Sequence, residues 1–336
     1  MKKGLTYDDV LLVPQYSDIE SRSEVSLATD FGRGIELGLP IIASPMDTVS
    51  EADMASTLGK LGGISIIHRY NSIADQSAMV WVAALKKALV GAAVGVSGDY
   101  KKRAISAVES GAKVICIDVA HGHHILMKRA IKEIREALPD IHIMAGNVAT
   151  LEGFNDLADW GADSIRCNIG GGSICTTRVQ TGHGVPGLET ILQCAKSDRN
   201  AKIIADGGLK NSGDIVKALA AGADAVMLGS LLAGTDCSPG TIFKTESGEL
   251  RKTYRGMASA AAQKDWRGHV ASCEGVSSSV PYRGKLADVV KELERGIRSG
   301  LSYSGARSVK ELQAKAQWLQ QSNASTTESS AHIRLR

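Results

Sequence analysis

Eight short apolar runs recur along this chain at near-regular spacing, and they limit its possible folds more than any other feature. They are LPIIASPMD, GGISIIHR, LVGAAVGV, AKVICIDVAHG, IHIMAGNVA, ADSIRCNIG, AKIIADGG and ADAVMLGS. Each is too short for a helix, is rich in Val and Ile, and reads as a strand buried on both faces. Amphipathic segments of helix length, such as ILMKRAIKEIREALPD and GDIVKALAAGA, lie between most of them. A weaker repeat, SGAKVI, WGADSI and AGADAV, closes a helix with a glycine suited to a left-handed cap and opens the next strand. A doubly wound open sheet seldom repeats so evenly, so the expectation is an α/β fold of the (β/α)8 TIM-barrel type.

The 336 residues read as one catalytic barrel domain with two departures from the repeat. Residues 1–39 form a lead-in. Residues 231–285 lack periodicity and are expected to make an active-site flap plus a hairpin, TIFKTESGELRKTYRGM, with SG as its turn. A last helix over VKELQAKAQWLQQ precedes a Ser/Thr-rich tail, 322–336, expected to be flexible unless a neighbouring subunit holds it.

Composition excludes several classes of function. Hydrophobic residues make up 43% and charged residues 22%, with a formal charge of +3, which is ordinary for a soluble globular chain. The basic run Lys101, Lys102, Arg103 reads as a solvated helix face, so no nucleic-acid polymer is expected as a partner. MKKGLTYDDVLLVPQ has no apolar stretch of signal-peptide length, and no later segment has a membrane-spanning run. A cytoplasmic protein with no membrane partner is the expectation. Six cysteines stand far apart with no C-x-x-C pair, against both a disulfide framework and structural zinc.

Barrel chemistry gathers at the carboxyl ends of the strands. Those ends supply Ser44, Met46, Asp47 and Thr48, then His68, then Asp118, His121 and His123, then Asn147, then GGGSICTT, DGG and GS. Glycines in ADGG (205–208) and LGS (228–230) let backbone N–H groups close around phosphate oxygens. Asp206 suits either the hydroxyls of a ribose or a helix cap. AHGHH offers an H-x-H pair but no third ligand at a recognisable spacing, and His68 reads as a hydrogen-bonded structural histidine. Cys175 lies on a polar glycine-rich loop where backbone N–H groups would stabilise a thiolate. Thr176 and Thr177 offer hydroxyls for proton relay, and Glu274 sits on the flap segment that would close over the site.

Across nearly its whole length the chain resembles the IMP dehydrogenase/GMP reductase family. The blocks that carry the resemblance are LTYDDVLLVPQYS, ASPMDTVSEADMA, IDVAHGHH, MAGNVAT, GGGSICTTR, IIADGG, AVMLGSLLAGT, YRGM and CEG followed by PYRG. The resemblance implies a cysteine, here Cys175, that adds to C2 of a purine nucleotide while a nicotinamide cofactor exchanges hydride with that carbon. It implies nucleotide contacts from Ser44, Met46, Ser173, Asp206, Gly208, Gly229, Ser230, Tyr254, Gly256 and Met257. It implies cofactor contacts from Asp47, Thr48, Asp118, Ala120, Asn147 and Arg166. The loop carbonyls at Gly170, Gly172 and Cys175 resemble a potassium site, from whose usual pattern Gly171 and Asn168 depart. A homotetramer is implied on the same basis.

Within the family the chain resembles the reductases more than the dehydrogenases. The flap ASAAAQKDWRGHVASCEG is short and lacks the dehydrogenases' Arg-Tyr pair, no regulatory tandem follows the second strand, and Thr177 with Glu274 matches the reductases' proton-relay pair. SRSEVSL and LSYSGARSVKEL also look reductase-like, whereas LTYDDVLLVP, GTDCSPG and Arg267 of DWRG look like the dehydrogenases. The expectation is a GMP reductase, with catalytic residues Cys175, Thr177 and Glu274, that uses NADPH to convert GMP to IMP and ammonia. The alternative is an NAD-dependent IMP dehydrogenase. A flavin barrel oxidoreductase would instead carry a yellow chromophore, and a non-catalytic nucleotide sensor would bind purine nucleotide without oxidising NADPH.

Overall fold

A computed structural model of the chain describes residues 3–271 and 273–329. Each of the eight apolar runs forms a parallel strand: β1 Ile41–Ala43, β2 Ile64–Ile67, β3 Val90–Val94, β4 Val114–Asp118, β5 His142–Val148, β6 Ser164–Cys167, β7 Lys202–Asp206 and β8 Ala225–Leu228. They pair in sequence order and close when β8 meets β1, with Val226 opposite Ile41 and Leu228 opposite Ala43. This is a (β/α)8 TIM barrel. Gly111, Gly161 and Gly222, the repeat's helix-ending glycines, take φ of +110°, +112° and +118°, where a side chain would be strained.

The lack of polar alternation in the strands has a direct packing cause. Ile42, Ile64, Ile66, Val114, Cys116, Met144, Ile204 and Met227 fill the barrel interior. Their neighbours Ile41, Ala43, Ile67, Ile115, Ile117 and Ile165 pack outward beneath the helices. Both faces are therefore dry, as parallel sheets require. A hairpin of Thr29–Gly32 and Ile35–Leu37 from the lead-in plugs the amino-terminal end, with Phe31 and Leu37 in the interior cluster.

The regions outside the repeat depart from expectation in two places. The final helix stops at Lys315, and Trp318–Gln320 instead pairs antiparallel with Val10–Leu12, because the lead-in offers an open strand edge there. Of the tail, Asn323–Glu328 forms a short helix, and residues 330–336 lie outside the described ones. The hairpin after β8 has strands Ile242–Lys244 and Leu250–Arg255, with Gly248 of the SG pair at φ +86° in its turn. Ser277–Pro281 adds a third strand to it, and helix Ala260–Arg267 stands between. Among the described residues, no helix is long and apolar enough to cross a membrane.

His142 at the plugged end stacks on Phe31 at 4.7 Å and bonds Ser164 Oγ through Nε2 at 2.8 Å. Burial pushes its pKa down from 6.5 to about 4. The unfolded chain then takes up a proton that the folded chain refuses, so stability falls as pH drops through that interval. The loss should approach about 3 kcal/mol. Denaturant unfolding from pH 7 to 4 checks this, with His142→Gln expected to flatten the dependence.

Candidate active site

The carboxyl ends of the strands surround a cavity of about 460 Å³. Cys175 lies in its wall on the loop after β6, its N–H bonded to Gly172 O at 3.1 Å. The thiol approaches Thr177 Oγ1 at 3.1 Å, and that hydroxyl donates to Glu274 Oε2 at 2.8 Å. A continuous line runs from sulfur through hydroxyl to carboxylate. Backbone pairing brings Glu274 there: Thr176 N donates to Glu274 O at 2.9 Å and Val276 N to Ile174 O at 3.0 Å. The flap thus docks on the cysteine loop as a short antiparallel ribbon, with Cys175 opposite Gly275.

The glycine turns line the same cavity. Gly207 and Gly208 follow β7 with φ of +77° and +76°. Gly229 follows β8, where an added Cβ would lie 2.6 Å from Tyr254 Oη and 3.2 Å from Ser44 Oγ. Only a glycine leaves that corner open. Tyr254 reaches in from the hairpin, and burial pushes its hydroxyl pKa up to about 12, so it stays a neutral hydrogen-bonding group.

Charge is concentrated there as well. Arg166 on β6 pairs with Asp118 at the end of β4 and, at 2.8 Å, with Asp206 at the end of β7. Burial opposes its charge, but the two carboxylates, Asp206 foremost, outweigh that and hold its pKa well above the ordinary value. Asn147 donates to Asp206 Oδ2 at 2.8 Å and to Asn168 O at 3.0 Å. Four strand ends are fixed by this network.

Nearly all the residues assigned from the sequence line this cavity, including Ser44, Met46, Ser173, Ser230, Gly256, Met257, Ala120 and Gly170. Asp47 and Thr48 do not. Asp47 instead pairs with Arg255 at 2.6 Å, and Thr48 Oγ1 accepts from Arg255 N at 3.2 Å, so both tie the hairpin to the barrel. His68 is buried behind the wall and bonded to Glu51, while His123 pairs with Asp156 and His124 caps a helix. Arg69, Tyr70 and Arg267 also line the cavity. Arg69 and Tyr70 follow His68 just past the end of β2, a position shared with other lining residues, whereas Arg255 lies inside YRGM with nothing local to show its pairing with Asp47.

For a nicotinamide group the fit is partial: Asp118, Ala120, Asn147 and Arg166 share the cavity with Cys175, but Asp47 and Thr48 are engaged elsewhere. For potassium the candidate donors are the carbonyls of Gly170, Gly172 and Cys175 on one loop. Gly172 O already accepts the Cys175 N–H at 3.1 Å, which leaves it a single lone pair for an ion.

A (β/α)8 barrel with glycine turns after its last two strands belongs to the class whose loops at that position frequently bind phosphate. The family model for the IMP dehydrogenase / GMP reductase domain matches residues 4–332, and the chain belongs to this family of purine-nucleotide oxidoreductases that use a nicotinamide cofactor. It is 34% identical to an inosine-5'-monophosphate dehydrogenase of Nitrosopumilus maritimus (98% of each chain). Identity is 38% to that of Cryptosporidium parvum (98% of this chain, 95% of the other) and 32% to a GMP reductase of Leishmania major (99% and 97%). A crystal structure of a cysteine-to-alanine GMP reductase from Trypanosoma brucei, in complex with guanosine 5'-monophosphate, superposes with a TM-score of 0.94 at 31% identity, covering 99% of this chain and 98% of that one.

Arg166→Met should leave the Asp118 and Asp206 carboxylates facing each other without their shared cation. A loss of about 3 kcal/mol is expected, since removing one partner strands buried charge. The measurement is the guanidinium unfolding midpoint, with an unchanged slope.

Proposed function

We propose that this protein is a GMP reductase, converting GMP to IMP and ammonia through a covalent bond between Cys175 Sγ and purine C2. The observation that carries this reading is the line Cys175, Thr177, Glu274, with steps of 3.1 and 2.8 Å. A thiolate adds to C2, and the leaving group is the amine on that carbon. The Cys175 thiol proton passes through the Thr177 hydroxyl to Glu274 as sulfur adds, and Glu274 returns it by the same route to the amine, which departs as ammonia. The product of that step is a thioimidate on Cys175.

A reduced nicotinamide cofactor, NADPH in this reading, supplies hydride at C2 when bound. Cys175 then leaves C2 as its thiolate. In balance, GMP and NADPH with two protons give IMP, ammonium ion and NADP+. Asp118, Ala120, Asn147 and Arg166 form the wall available to the cofactor, and Ser44, Ser173, Asp206, Gly208, Gly229, Ser230 and Tyr254 the surface available to the nucleotide. The phosphate would meet backbone N–H groups at the glycine turns. The docked flap keeps water from the covalent intermediate before hydride arrives. Homotetramer assembly and cytoplasmic location belong to the same reading.

One observation favours the dehydrogenase alternative: Arg267 lines the same cavity and is a group that could activate water against the intermediate. Missing inserted sequence does not help to decide. Alignments to the Nitrosopumilus dehydrogenase and the Leishmania reductase run over 471 and 480 positions, beyond this chain's 336 residues, so relatives of both names carry sequence that it lacks.

The reduced-nicotinamide absorbance separates the readings: it should fall with GMP plus NADPH and stay flat with IMP plus NAD. Cys175→Ala should abolish turnover. Glu274→Gln should keep nucleotide affinity and slow deamination by about 10²- to 10⁴-fold. Full activity in Glu274→Gln would overturn the relay.

A further inference from the structure

Asn168, immediately after β6, is 4% exposed and lines the cavity. Its Nδ2 donates to Asp206 O at 2.8 Å, with Gly207 O at 3.4 Å. Those two carbonyl acceptors fix which end of the amide is nitrogen. Oδ1 is buried and has no partner among the described residues. A lone buried acceptor is costly, so this amide is held in place by what surrounds it.

What surrounds it is glycine. A Cβ added at Gly171 would lie 2.4 Å from Asn168 Nδ2 and 2.6 Å from Oδ1. Gly171 is not among the glycines with positive φ, and the three atoms nearest such a Cβ all belong to the Asn168 amide. On the other side, a Cβ at Gly208 would lie 2.9 Å from Gly171 O, and one at Gly207 would lie 3.5 Å from Gly172 Cα. The nucleophile's loop and the glycine turn after β7 are thus in backbone contact, with the Asn168 amide wedged beside the junction.

We propose that Asn168 is a positioning residue that sets the spacing between the Cys175 loop and the Asp206–Gly208 turn. It acts on the loop by contact with Gly171 and on the turn through the Asp206 carbonyl. Its amide nitrogen is directed to the Asp206 and Gly207 carbonyls rather than to Cys175. The part concerning the nucleotide rests on the proposed function, in which that turn holds the nucleotide. The two contacts make separable predictions, because the turn governs affinity and the loop governs the reacting sulfur.

Asn168→Asp keeps the shape but replaces the donor facing Asp206 O by an acceptor. Nucleotide KM should rise at least tenfold with kcat within threefold, and GMP should bind at least tenfold more weakly to Cys175→Ala/Asn168→Asp than to Cys175→Ala. Gly171→Ala should instead lower kcat at least tenfold and change, at least fivefold, the iodoacetamide alkylation rate of Cys175, followed by peptide mass mapping on nucleotide-free protein. Adding Asn168→Gly to Gly171→Ala should restore kcat and alkylation rate while KM stays raised. Wild-type kcat and alkylation in Gly171→Ala, or failure of the double variant to recover while melting like wild type, would overturn the proposal. If Cys175→Ala binds neither GMP nor IMP, the proposed function fails and takes the affinity half with it, while the alkylation rates still decide the spacing.

Discussion

Closure of the barrel between its first and last strands is the constraint on which the site depends. β8 pairs with β1 through Val226, Met227 and Leu228, and Ser44 continues the seam by donating both N–H and Oγ–H to Leu228 O, each at 3.1 Å. Residues some 180 positions apart in sequence therefore share one corner. An open sheet would leave Ser44 and Met46 at one edge and Gly229 and Ser230 at the other, with two rows of unpaired backbone groups. The ring removes both edges and makes a single mouth.

The mouth is then organised by two different kinds of contact. Arg166 gathers Asp118 and Asp206 into one buried charge cluster, which fixes the strand ends but leaves little of that charge free for a ligand. Glycine does the opposite: at 207 and 208 its missing side chain lets one loop's backbone approach the next, and at 171 and 229 it leaves room for the Asn168, Tyr254 and Ser44 side chains. An anionic ligand is accordingly better served by the backbone of these turns than by Arg166, whose guanidinium is already matched by two carboxylates.

The sequence revealed the barrel because its interior and its helix-facing side are both apolar, which turns each strand into a run such as VICID or IIAD. It revealed the cavity lining because strand ends are fixed once strands are, and because GGGSICTTR has no use in a core. What it hid depended on long-range pairing. Trp318–Gln320 reads as the end of a helix until Val10–Leu12 offers it an edge, and SSSVP is too polar to announce a strand. Asp47 and Thr48 stand at a strand end like other lining residues, yet their partner Arg255 lies more than two hundred positions away. No local pattern carries that information.

The hydrogen-bonded line draws its members from separate elements: Cys175 and Thr177 belong to the barrel, Glu274 to the flap. The carboxylate reaches the hydroxyl only while the backbone ribbon between residues 174–176 and 274–276 is formed. Further contacts hold the flap: Arg255 joins Asp47 to Asp265 on the flap helix, and Trp266 stacks on Tyr70 at 5.8 Å. In the proposed reading, proton delivery and shelter from water would thus depend on the same docking. In a reductase that coupling is useful, because a flap position able to protonate the leaving amine is also the position that keeps water from the sulfur-bound carbon.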